Sequence, residues 1–283
     1  MITIFDGILS SLVYLASCYV IFFVGKYVYH FFHKDINVKD ELVEKDNLAF
    51  AVAHTGYFIG LMFAIGAAII GPSNGMVQDL IDIFSYGLMG IILLNISILI
   101  NDKLILRTFS VRKEIVEDQN VGTGVVEAAS AIATGLVIWG SLSGLGGGYD
   151  TAIVFWIIGQ LMLIIASYVY NLITPYDIHE HIEKDNVAVG VGFAGALVSI
   201  GILLRFALIP DFVSWEESLM TTGIDALIGL VFLPIARFIA DKILLPGRNL
   251  TDEVVNQEKP NVGVAIIEAF AYIGGAIFIT WSL

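Results

Sequence analysis

The chain runs to 283 residues, of which 57% are hydrophobic and only 14% charged, with a formal net charge of −13. Its apolar residues come in long blocks rather than at the spacing that gives a soluble helix one buried face, which is the composition of a membrane protein. The acidic balance argues against nucleic acid, whose phosphates call for a basic patch, and the lone Cys18 excludes an intrachain disulfide or a cysteine metal site.

Spanning the roughly 30 Å hydrocarbon layer takes about 20 apolar residues of helix. The first such stretch, 8–31, is aromatic, with Tyr14, Tyr19, Phe22, Phe23, Tyr27 and Tyr29. Met1 to Asp6 carries no basic residue, the apolar run is too long for a leader and no small-x-small cleavage site follows, so this helix is expected to stay in the membrane. A charged connector then leads through Glu44-Lys-Asp-Asn47-Leu-Ala into a second helix over 48–71, and a third is predicted over 81–101. The motif returns as Glu117-Asp-Gln-Asn120-Val-Gly before a fourth helix over 121–143. Gly144-Leu-Gly-Gly-Gly148 lacks the Lys-Ser/Thr of a phosphate loop and reads as a flexible link. Helices over 151–174, 187–209, 218–240 and 261–282 complete the series, with Glu183-Lys-Asp-Asn186-Val-Ala and Glu258-Lys-Pro-Asn261-Val-Gly opening the sixth and eighth.

A motif of Glu-x-x-Asn, an aliphatic and a small residue thus precedes every even-numbered helix. Asparagine suits an N-cap, where its side-chain oxygen accepts from a backbone N–H that would otherwise enter the membrane unpaired. Glu41, Glu114 and Glu180 stand three residues before the first three motif glutamates and suggest a short amphipathic element on the membrane surface; in the fourth copy Asp252-Glu253 is offset by two. Small residues follow each Asn at two and four positions, as Ala49 and Ala51, Gly122 and Gly124, Ala188 and Gly190, Gly263 and Ala265, so the even-numbered helices are expected to form a close-packed centre and the aromatic odd-numbered ones a lipid-facing periphery. Asn47 to Asn186 spans 139 residues and Asn120 to Asn261 spans 141. The expected fold is therefore an all-α membrane protein, eight transmembrane helices in two tandem four-helix domains, 1–145 and 146–283, as parallel repeats with an approximate two-fold axis along the membrane normal.

Thirteen of the fourteen Lys and Arg residues lie on or beside the segments after odd-numbered helices, with Arg205 the exception. The positive-inside rule places these segments in the cytoplasm and both termini outside. The opposite face carries Asp6, Asp79, Asp82, Asp150, Asp211, Glu216, Glu217 and Asp225; polar loops without lysine account for this rim, and such a rim would also concentrate cations.

An acid-and-Asn helix start such as Glu44-Lys-Asp-Asn47 or Glu183-Lys-Asp-Asn186, a Gly/Ala-rich helix, and a later Asn-Val-Gly start to a helix ending near the C-terminus together resemble the YjfL-like bacterial inner-membrane proteins, family 350 of the domains of unknown function. A typical member resembles half of this chain, so the resemblance covers nearly all of it as two domains. It implies a fold and an inner-membrane address, but no activity and no catalytic residues.

Seven positions after the four asparagines stand His54, Glu127, Phe193 and Glu268, each roughly 10 Å into the membrane at 1.5 Å of rise per residue. An ionisable group at that depth costs about a few kcal/mol and normally faces a partner or a water-filled cavity. If the even-numbered helices converge, His54, Glu127 and Glu268 form one polar cluster, either relaying protons or holding a cation, or serving as interhelical hydrogen-bond pins. Asn95 and Gln160 read as packing hydrogen bonds, and Arg205 either pairs with Asp225 or reaches to lipid headgroups. His179-Glu-His181, with Asp177, Glu183 and Asp185 nearby, matches no strong zinc signature and reads as a solvated turn. No Ser/His/Asp series, nucleotide fingerprint or large soluble domain is legible, so neither catalysis nor a cofactor is expected. Two functions follow. The first is a membrane component acting through packing and a cytoplasmic protein partner in envelope maintenance or stress response, with the lipid bilayer and a second copy of the chain as further partners. The alternative is a transporter or channel for protons or small cations using the His/Glu layer.

Overall fold

The computed structural model describes residues 2–283, with side chains from residue 7 onward, so the Asp6 carboxylate of the acidic rim lies outside the described residues. Among them no strand is found. Eight helices are long and apolar enough to cross a membrane: α1 (Ile2–Phe32), α2 (Leu48–Ala67), α3 (Met76–Leu104), α4 (Val121–Leu142), α5 (Tyr149–Ile173), α6 (Val187–Leu208), α7 (Trp215–Ile239) and α8 (Val262–Ser282). On one face, here the connector face, the segments between odd and even helices fold into short helical turns: Asp40–Glu44, Val111–Val116, Ile178–Glu183 and Leu250–Val254.

The even-numbered helices form a row. α2 packs on α4, α4 on α6 and α6 on α8 along most of their lengths. Lipid offers no hydrophobic drive for this association, so close van der Waals approach must supply it, and the small residues permit that approach. A Cβ at Gly190 would lie 2.7 Å from the Gly122 carbonyl oxygen, and one at Gly201 would lie 2.7 Å from Ala133 Cα. Successive helices keep one register, in which the second position after one Asn meets the fourth position after the next: Ala49 meets Gly124, and Gly122 meets Gly190.

The row is open. A two-fold axis relating the halves would turn the α4–α6 contact into an equal α8–α2 contact, yet among the described residues α2 and α8 share no comparable interface. The expected two-fold is therefore corrected to a step along the row. Burial follows position in the row: 78% of the most apolar stretch is buried in α4 and in α6, against 28% in α8. The odd-numbered helices flank the row unequally. α1 is 11% buried over that stretch, whereas α3 and α5 reach 50% and 44% because α3 wedges against α2 and α4, and α5 against α4 and α6. The odd-numbered helices thus flank the row as expected, α1 mostly exposed, while α3 and α5 are corrected to half-buried flanks.

The glycine run between the halves is also more constrained than a flexible link. Gly144 and Gly146 take φ of +85° and +82°, a region open to glycine without strain. The Leu145 N–H donates to Asp211, and the Phe212 N–H donates to the Leu145 carbonyl at 2.8 Å. The link is pinned to the α6–α7 loop.

Candidate functional site

Each helix start is built around its asparagine. Asn47 Oδ1 accepts from the Phe50 N–H at 3.0 Å, Asn120 from Thr123 at 2.8 Å, Asn186 from Val189 at 3.1 Å and Asn261 from Val264 at 3.2 Å. The amide nitrogen then reaches the next connector. Asn47 Nδ2 donates to the Ile115 carbonyl at 2.8 Å, Asn120 Nδ2 to Ile182 at 2.7 Å and Asn186 Nδ2 to Val254 at 2.9 Å. Asn261 ends the row.

The carboxylates beside these amides are not the motif glutamates. Glu41 accepts from Asn47 Nδ2 at 2.8 Å, Glu114 from Asn120 at 2.9 Å and Glu253 from Asn261 at 3.1 Å. Glu44, Glu117, Glu183 and Glu258 are exposed, and of these Glu44 and Glu117 make surface ion pairs with Lys39 and Arg112, of a kind worth about 0–1 kcal/mol. The chain reverses just before each of the first three asparagines, with Asp46, Gln119 and Asp185 at φ of 49°, 53° and 55°, which leaves the preceding glutamate toward water. The fourth copy has Pro260 there, whose ring forbids positive φ, and its connector is longer by two residues. Burial pushes the Glu41 carboxyl up, but its hydrogen bonds from Lys45 and Asn47 outweigh that and hold it below the ordinary glutamate range.

His54, Glu127 and Glu268 do not form one cluster. α6 stands between α4 and α8, so Glu127 and Glu268 belong to different halves. His54 sits among rings, 4.3 Å from Phe58, 4.7 Å from Tyr29 and 5.2 Å from Phe50 between centroids, with Nδ1 unpaired. Phe193 holds the matching place in the second half, stacked on Tyr170 at 5.1 Å.

The two glutamates meet opposite environments. Glu268, 1% exposed, forms an ion pair with Arg237 from α7 at 2.7 Å and accepts from the Tyr170 hydroxyl at 3.3 Å. Arg237 also faces Tyr176, whose hydroxyl burial pushes up to about 12, with the Glu268 charge adding to the rise. Glu127 has no such cation. Its carboxyl is in hydrogen-bonding contact with that of Asp102 from α3, and Asp102 Oδ1 has no partner. The pair lines a cavity of about 60 Å³ walled by Tyr29, Tyr57 and Phe50 and reaching His33 and Arg112 on the connector face. Arg112 is tied to Asp35 at this mouth. Burial lowers the pKa of His33, against its bond to the Tyr29 carbonyl and the Asp35 charge.

Repeat offsets pair these residues. Tyr27-Val-Tyr29 matches Tyr168-Val-Tyr170, Asp102-Lys103 matches Asp241-Lys242, and Ile98 falls where Arg237 stands. Ala53 replaces Gly192, where a Cβ would lie 2.5 Å from Glu268 Oε2. Asp102 and Arg237 lay outside the expected cluster; the signal that points to them is this double match, not the depth of the glutamates.

Other polar residues have local roles. Asn95 Nδ2 donates to the Tyr57 hydroxyl at 3.2 Å and the Ile91 carbonyl at 2.8 Å, while both side-chain polar atoms of Gln160 are buried without a partner. Arg205 lies over the Trp139 ring at 4.1 Å, and among the described residues no ion pair joins it to Asp225. His179, expected in a solvated turn, is 2% exposed, with Nε2 against the Ile105 carbonyl at 2.8 Å.

A family described as Domain of Unknown Function (DUF350) matches the chain twice, over residues 3–142 and 143–283. The UPF0719 transmembrane protein of Aquifex aeolicus (strain VF5) is 22% identical over 275 residues, 95% of this chain and 97% of its own. The UPF0719 inner membrane protein YjfL of Escherichia coli (strain K12) is 27% identical over 136 residues, 45% of this chain and 91% of its own. No solved structure matches the chain.

Proposed function

The chain belongs to the DUF350 family and carries two tandem copies of its domain as a multi-pass membrane protein, and from that premise we propose that it handles a proton or small cation through Asp102 and Glu127. The observation behind this reading is two carboxyl groups in contact, without an ion-paired base among the described residues, in a cavity that reaches the connector face. Like charges this close in a low-dielectric setting need a shared proton or a bound cation between them. The excess of Lys and Arg on the connector side supports reading that face as cytoplasmic and both termini as lying on the other side. On that other side, two cavities of about 430 and 370 Å³ are lined by Asp79, Asp82, Asp211 and Glu217. The reading is transport or exchange between these faces, with the first half as the working half.

The test is proton and cation flux in proteoliposomes. Native protein should conduct and Asp102→Asn/Glu127→Gln should not, while flux equal in both would remove the proposal. A second reading, a scaffold for a cytoplasmic partner, draws on Leu42 and Val43, which are 40% and 68% exposed on the first connector. Native membranes in which Val43→Lys leaves every cross-linked neighbour unchanged would count against it.

A further inference from the structure

The two halves present the same glutamate with and without a cation of the protein's own. In the second half Arg237 brings its guanidinium to 2.7 Å from Glu268, and the neighbouring Asp241 is drawn away, accepting from the Leu250 N–H at 2.6 Å and pairing with Lys242 at 2.7 Å. In the first half the position of Arg237 is Ile98, too short and without charge, and Asp102 turns instead toward Glu127 with one oxygen unpartnered. Both carboxyls and Ile98 line the 60 Å³ cavity. Its walls include the rings of Tyr29, Tyr57 and Phe50, and aromatic faces attract cations and favour organic ones.

We propose that the first half binds a small nitrogen cation, of the ammonium or guanidinium class, in the cavity lined by Asp102, Glu127 and the Tyr29 ring, as the counter-ion that Arg237 supplies in the second half. This rests on the reading of Asp102 and Glu127 as a proton or cation site, and it adds the chemical class of the ion and the reason one half lacks its own. N–H donors on the charged nitrogen would satisfy the free carboxylate oxygen, and the quaternary nitrogen of choline carries none.

The test is thermal unfolding of the full chain in lipid nanodiscs, titrated with methylammonium chloride against choline chloride at equal ionic strength. A ligand that binds only the folded state raises Tm in a saturable way. Methylammonium should do so for native protein, choline should not, and Asp102→Asn/Glu127→Gln should lose the response. Ile98→Arg, which supplies a tethered guanidinium, should raise Tm without ligand and abolish the methylammonium response, while Ile98→Met should keep it. No methylammonium response beyond choline in native protein, or a response that survives in Asp102→Asn/Glu127→Gln, would overturn the inference, and neither comparison depends on Ile98→Arg folding. Proton flux separates the two claims. Flux that needs Asp102 and Glu127 without any methylammonium response leaves the proton site standing and removes the nitrogen cation.

Discussion

Asn120 closes three contacts with one amide: it caps its own helix, holds Glu114, and ties α4 to the connector before α6. Loss of an N-cap costs about 1 kcal/mol, and a buried carboxylate left without its donor adds to that. Asn120→Ala should therefore destabilise the protein by more than Asn261→Ala, which caps but reaches no following connector; chemical unfolding of both variants in the same detergent checks the order. Glu41 carries a pH prediction. Its pKa is held below the ordinary range in the folded state, so its contribution is present at neutral pH, above the unfolded value, and disappears as pH falls through the folded one. Glu41→Gln should flatten that acid limb in a melting series across pH. The asparagines were legible because they recur four times before apolar runs. The carboxylates that hold them were not, because Asp46, Gln119 and Asp185 reverse the chain in a backbone conformation that spacing alone does not reveal.

At the scale of elements, the row was legible in its small residues, whereas its order and its ends came from the register. Gly60 of α2 meets Gly135 of α4, and Ala133 of α4 meets Gly201 of α6. Gly190→Leu should force α4 and α6 apart, since the Cβ has backbone rather than a movable side chain to displace; disulfide cross-linking between cysteines placed in α4 and α6 should fall, while Gly223→Leu, with nothing within 4 Å, should leave it unchanged. At the free edges the same register puts Met62 of α2 and Phe270 of α8 where inner helices carry Gly or Ala, and both stand 59–60% exposed. These side chains end the row, and Pro260 reshapes the last connector. A two-fold was the wrong inference from two nearly equal spacings, because spacing fixes neither the angle between copies nor whether the set closes.

Over the whole molecule, duplication has left two sites of different charge from one pattern. The second half neutralises Glu268 with Arg237, and the first half leaves Glu127 with Asp102 and a cavity. Depth from the asparagines identified both glutamates, but it could not separate them, since the partners come from α3 and α7, where Ile98 and Arg237 part company. Pins between helices and a working site share the same residues in sequence; what distinguishes them is whether the charge already has a counter-ion. Infrared difference spectroscopy between neutral and alkaline pH, where exposed carboxylates are already ionised, and in buffer free of ammonium and amine cations, bears most directly on this asymmetry, through the carbonyl stretch of a protonated carboxylic acid. Native protein should show such a band, lost in Glu127→Gln and kept in Glu268→Gln. A native protein without the band, or a band that survives in Glu127→Gln, would contradict this asymmetry.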